Sequence, residues 1–122
     1  MEYGKKAVAF HDQGCNCCQS VLMSACAQFG LSEEHAYQLA AFFGAGMRCG
    51  EVCGAVTGAL MALGLRYGDE NNRQCGKSKE FMKKFGQEFG AVLCRELLAK
   101  NQKKMCPTFI EYCANYLEEE FK

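Results

Sequence analysis

The chain predicts an all-α fold, a single-domain helical bundle of about five to six helices over residues 1–122. Three observations carry that expectation. Apolar residues recur at three- and four-residue spacing through nearly every segment. No stretch of useful length alternates with period two, so no sheet is expected. Hydrophobic residues make up 49% and charged residues 23%, with one proline, which is the composition of a compact folded domain.

The elements follow in order. The first ten residues carry Glu2, Lys5 and Lys6 and lack the apolar run of a signal peptide. Cys18, Val21, Leu22, Ala25 and Phe29 form one helical stripe, which Gly30 ends. Ser32 caps the next helix, with Glu33 and Glu34 at its positive end. That helix turns Ala36, Leu39, Ala40 and Phe43 inward and stops at Gly44-Ala45-Gly46. A third helix is expected from about Gly50 to Leu63, and a loop from Gly68 to Lys77. A long amphipathic helix then runs from about Ser78 to Lys100, with Phe81, Phe85, Phe89, Val92 and Leu93 on its apolar face. Lys77, Lys79, Lys83, Lys84, Lys103 and Lys104 read as a solvated face. Pro107 suits the first turn of a last helix, whose Ile110, Cys113, Ala114 and Leu117 face inward.

Fourteen basic and fourteen acidic residues cancel. No strong field attracts nucleic acid or anionic lipid, so neither partner is expected. The uncharged stretch Val52–Leu65 is 14 residues long, too short to span a bilayer. A soluble cytoplasmic protein is expected, and a homodimer is compatible with the sequence.

Ten cysteines, at 15, 17, 18, 26, 49, 53, 75, 94, 106 and 113, spread over the chain. In a reducing compartment they point to metal ligation or redox chemistry rather than disulfide staples. Cys17, Cys53 and Cys106 fall at or within the first turn of a helix. Unsatisfied N–H groups and the dipole stabilise a thiolate there, which primes it as a ligand or nucleophile. Cys94 sits far into the long helix and joins only through tertiary packing. Filling a core with a small, soft side chain is the plainer role for any single cysteine. Cys49 and Cys53, at i and i+4, share a helix face if Cys49 is helical, which would allow a metal pair or a reversible disulfide. Cys15-x-Cys17-Cys18 is too tight for three thiols to bind one metal easily.

Gly50, Gly54, Gly58 and Ala62 recur every four residues, although glycine costs a helix about 1 kcal/mol relative to alanine. They form a smooth groove, for close helix packing or to clear room beside Cys53. His11 and His35 read as surface residues, Arg48 and Arg95 as ion-pair partners, and Met23, Met47, Met61 and Met82 as core.

The segments Asn16-Cys17-Cys18-Gln19, Cys53-Gly54-Ala55-Val56-Thr57-Gly58-Ala59-Leu60, Val92-Leu93-Cys94-Arg95-Glu96-Leu97 and Cys106-Pro107 resemble, in that order, the C-GCAxxG-C-C family of redox-active proteins. The resemblance covers roughly residues 7 to 119 and implies an all-helical fold with a redox role resting on Cys17, Cys53, Cys94 and Cys106. The family is similar to the helical part of split-Soret cytochromes c, which implies an iron–sulfur cluster. Haem is not implied, because no Cys-x-x-Cys-His run is present. The chain departs from the label in reading Cys-Gly-Ala-x-x-Gly for Gly-Cys-Ala-x-x-Gly, and in the added Cys15 and Cys49.

Four thiolates suit a [2Fe–2S] or [4Fe–4S] cluster or a tetrahedral zinc. The leading expectation is therefore an iron–sulfur protein that carries electrons to an unidentified redox partner or senses redox state. The alternatives are a thiol–disulfide reductase with Cys53 as attacking thiolate, and a zinc-stabilised structural module.

Overall fold

The computed structural model describes residues 1–68, 76–101 and 105–122. These form seven α-helices: α1 (Glu2–Asp12), α2 (Cys17–Ala25), α3 (Glu33–Leu39), α4 (Gly54–Tyr67), α5 (Lys77–Phe89), α6 (Cys94–Asn101) and α7 (Cys106–Glu120), with a short 3₁₀ turn at Ala27–Phe29. The all-α expectation holds. The described helices outnumber the expected five to six for two reasons: α1 has too sparse an apolar pattern to stand out in the sequence, and the expected long helix is two. Most of the expected 68–77 loop, with Cys75, lies outside the described residues, as do Lys103 and Lys104.

α2 is the centre. It carries no charged side chain, and every residue from Cys18 to Ala25 is buried. It packs against α1, α4 and α7. Its start is fixed by a capping box: the Asn16 side chain accepts from Gln19 N–H at 2.8 Å, and the Gln19 side chain accepts from Asn16 N–H at 2.8 Å. The same two amides reach across to α3. Asn16 Nδ2 donates to the Ala40 and Ala41 carbonyls at 3.2 and 3.1 Å, and Gln19 Nε2 donates to the Tyr37 carbonyl at 2.9 Å. Both amides thereby pair their donors and acceptors at this junction.

α4 meets α2 through its glycine groove. A Cβ at Gly58 would lie 2.7 Å from the Cys18 carbonyl oxygen, and one at Gly54 would lie 3.2 Å from Cys18 N. The groove is therefore filled by the α2 backbone. Gly50 is no part of it, because α4 begins at Gly54 and not at Gly50.

α5 ends at Gly90, whose φ of +82° is the left-handed helix stop that glycine adopts without strain. Residues 91–93 leave the helix, and Leu93 pairs with Val52 in the one antiparallel bridge among the described residues. The apolar faces of α5 and α7 interlock through aromatic rings. Phe89 lies 4.9 Å from Phe109 and Phe81 4.9 Å from Tyr116, centroid to centroid. Phe81, Phe85, Phe109, Ile110 and Leu117 are fully or almost fully buried there, each contributing about 1.5–3 kcal/mol of transfer free energy. α1 closes the other side of α7 with Gly4 and Ala7 inward, and Tyr3 N–H donates to the Glu118 carboxylate at 2.6 Å.

Candidate functional site

Four helices begin with a cysteine at or beside the cap. Cys17 is the first residue of α2, Cys94 of α6 and Cys106 of α7, while Cys53 is the N-cap of α4. Periodicity alone sets Cys94 deep in a helix. It opens one instead, because Gly90 ends α5 and the non-helical link restarts the chain.

The link also sets the spacing of two of these cysteines. Flanking the Val52–Leu93 bridge, Cys53 N–H donates to the Val92 carbonyl at 2.8 Å and Cys94 N–H to the Glu51 carbonyl at 2.6 Å. Cys53 and Cys94 are thereby fixed diagonally across the bridge, Cys53 opposite Val92 and Cys94 opposite Glu51. Cys17 packs over Gly54: a Cβ at 54 would lie 3.3 Å from the Cys17 Cβ, closer than ordinary contact, and 3.0 Å from the Phe43 carbonyl oxygen.

Cys17, Cys53, Cys94 and Cys106 line one cavity, together with Gly54, Ala55, Leu97, Leu98 and Phe109. The free space between them is about 10 Å³, the room of about one water. Cys53 is 5% exposed and the other three are half-buried. Cys17, Cys53 and Cys94 carry free thiols.

Burial decides the proton affinity. Cys53 is pushed up from 9.0 to about 12, chiefly by desolvation. The Val56 and Ala55 N–H groups of the α4 cap pull it down, and the nearby Cys17 and Cys94 push it up again. Burial also raises Cys94, with Cys17 adding to it. A helix start by itself lowers a thiol. At Cys53 the cap is present and acts in that direction, but loss of water outweighs it. Behind the cavity, Cys18 is raised to about 12 by burial and by Cys17 and Cys53, and Cys113 is raised well above its usual value by the same causes.

The donor set suits a thiolate-bound metal or cluster, since soft sulfur ligands in an apolar shell select iron–sulfur centres and zinc. Their separation is the mismatch. Among the described residues no group of three or more Cys, His, Asp or Glu is near enough to hold one metal ion, and 10 Å³ is far less than a cluster occupies. Binding therefore requires a wall of the cavity to shift.

The remaining candidates separate from this site. Cys49 is exposed and non-helical, with φ −137°, so it shares no helix face with Cys53. Its thiol donates to the Gly46 carbonyl at 3.5 Å. It follows a left-handed turn in which Ala45, Gly46, Met47 and Arg48 all have φ between 53° and 62°. Met47 lies there at 45% exposure rather than in the core. Cys26 is buried against the Met23 carbonyl at 3.6 Å, and Cys15 is half-buried. Arg95 pairs with Glu51. His35 is exposed, and His11 is half-buried near the end of α1. Asn16 and Gln19, which seat Cys17, are absent from the sequence-based candidates, although Asn-x-x-Gln before an apolar run is the signature of such a cap.

A family model described as "Putative redox-active protein (C_GCAxxG_C_C)" matches residues 15–120. The chain belongs to this family. No curated protein and no solved structure matches it. The matched span of this C_GCAxxG_C_C protein contains all four cavity cysteines and the Cys53-Gly54-Ala55-Val56-Thr57-Gly58 run. In that run Cys53 caps α4, Gly54 packs under Cys17, Ala55 lines the cavity and Gly58 admits the α2 backbone. No described helix is long and apolar enough to cross a membrane.

Proposed function

We propose that Cys17, Cys53, Cys94 and Cys106 hold an iron–sulfur cluster with which the protein carries electrons, in the cytoplasm, to a redox partner. The observation that supports this is the lining of one apolar cavity by four cysteines from four separate helix starts. When bound, such a cluster supplies one-electron transfer at a potential set by its surroundings. Ala55, Leu97, Leu98 and Phe109 would exclude water from it, and the α4 cap N–H groups would hold negative sulfur at Cys53.

The raised thiol pKa values favour this reading over a thiol–disulfide reductase. At about 12, Cys53 holds almost no thiolate at neutral pH and attacks a disulfide poorly. A bound cation supplies the charge that releases the proton. Zinc suits the same four donors but has no redox chemistry, so it answers to the family less well.

Anaerobic reconstitution with ferrous iron and sulfide tests the proposal. A visible charge-transfer band with stoichiometric iron and sulfide is expected. Cys53→Ser should abolish it, and Cys113→Ser should keep it, because Cys113 is a fully buried packing residue of α7 outside the cavity lining. A colourless product, or equal loss in both variants, would refute the assignment.

A further inference from the structure

The thiol cavity is narrow. Its free space is about 10 Å³ and Cys53 is 5% exposed, whereas Cys17, Cys94 and Cys106 are half-buried, so nothing larger than a water reaches Cys53 or the space between the sulfurs without movement of a wall. The walls differ in how firmly they are held. α2, α4 and α7 pack against one another with their inner faces buried. α6, which brings Cys94, Leu97 and Leu98 to the cavity, buries Leu97 in the core, while its Arg95 and Glu96 stay exposed and its backbone lies chiefly against the turn at Gly46–Gly50.

Three features join α6 to that turn. Cys94 N–H donates to the Glu51 carbonyl at 2.6 Å. Arg95 pairs with the Glu51 carboxylate and donates to the Gly50 carbonyl at 3.4 Å. The Arg95 and Glu51 side chains are 57% and 47% exposed, so water competes directly for this pair. The support itself is strained. Ala45, Met47 and Arg48 hold positive φ of 53°, 59° and 60°, a region that L residues with a Cβ occupy at a cost. On the other side, α6 connects to α5 through Gly90, at φ +82°, and the non-helical residues 91–93, of which Val92 and Leu93 are held by Cys53 N–H and by the pairing with Val52.

We propose that α6 is a hinged lid on the thiol cavity, latched by Arg95 and Glu51 together with the Val52–Leu93 pairing, and swinging on Gly90 and Ala91 to admit the group that the cysteines bind. This takes the cavity as the working site, as above, and is independent of which group fills it. Opening exposes Cys53 while Cys18 and Cys113, both fully buried on α2 and α7, stay covered. Global unfolding exposes all three together.

Alkylation tests the lid on the full chain freed of metal by a chelator. Iodoacetamide is the probe, and modification at each cysteine is followed by peptide mass spectrometry. Cys53 should react at least about tenfold faster than Cys113, as local opening requires. Glu51→Gln and Arg95→Gln should each speed Cys53 about two- to fivefold, the range an exposed ion pair covers, with Cys18 and Cys113 unchanged. The two substitutions move the local charge in opposite directions, so a shared acceleration reports the latch and not a shift in thiol acidity. Their combination should add little to either alone. Equal rates at Cys53 and Cys113, or a Cys53 rate unmoved by both substitutions, would overturn the lid. Cluster assembly is not involved in this readout, so failure of the iron–sulfur proposal leaves it intact, and the reverse holds too.

Discussion

Alanine at position 58 would place a methyl carbon 2.7 Å from the Cys18 carbonyl oxygen and 3.2 Å from the Val21 Cβ. Two effects oppose each other there. Alanine favours a helix interior over glycine by about 1 kcal/mol. Overpacking costs about 1–3 kcal/mol, and more where the neighbour is backbone. The nearest atom is the main chain of α2, a helix buried along its length, so it cannot step aside as a flexible side chain would. A net loss of about 1–2 kcal/mol is expected, lowering Tm by roughly 3–8 °C in a chain of this size. Gly64 supplies the control. It lies in the same helix, is exposed, and has no neighbour within 4 Å of where an alanine methyl would sit. Gly64→Ala should therefore raise stability by about 0.4–1 kcal/mol. Urea unfolding followed by far-ultraviolet circular dichroism reads both. If Gly58→Ala matches or exceeds the parent in stability, the groove is not filled by α2, and the seating of Cys17 and Cys18 against α4 is wrong.

Alkaline pH should weaken the metal-free fold. The folded chain holds the Cys18 and Cys53 protons up to about 12, above the ordinary 9.0. From pH 9 upward the unfolded chain therefore releases protons that the folded chain keeps, and stability falls by about 1.4 kcal/mol per thiol per pH unit. Below pH 9 both states are protonated and these thiols contribute no slope. Urea midpoints at pH 8 and pH 10 check this; Cys18→Ala should show a shallower fall, and an identical one would count against a buried neutral thiol. Asn16→Ala removes the α2 cap and two hydrogen bonds to the end of α3, so a loss of about 1–2 kcal/mol is expected in the same assay. An unchanged midpoint would show that Asn16 does not bear on the seating of Cys17.

Much of the architecture is legible in local pattern. The stripe from Cys18 to Ala25, the Ser32 cap, the inward face of α7 and the phenylalanines of α5 are all read from three- and four-residue spacing, and all are present. The failures share a cause. α1 has few apolar residues, and its burial depends on α7, a partner more than ninety positions away. The break at Gly90 sits inside a continuous apolar stripe, so periodicity runs through it, while the glycine stop and the bridge to Val52 end the helix. The sequence is compatible with a helix starting at Gly50, but Gly50 takes φ +75°, Glu51 is non-helical and Val52 pairs with Leu93, so α4 starts only at Gly54.

The amino-acid order alone determined the helical class, the apolar faces and the placing of Cys17, Cys53 and Cys106 at helix starts, because these depend on neighbours within a few residues. Tertiary structure decided the rest. It turned Cys94 from a mid-helix residue into a helix start, set it and Cys53 diagonally across one backbone bridge that spans some forty residues of chain, and lined one narrow apolar cavity with the four cysteines. It also decided their acidity, since the helix caps that favour a thiolate act locally, whereas the desolvation that overrules them comes from the packing of four helices.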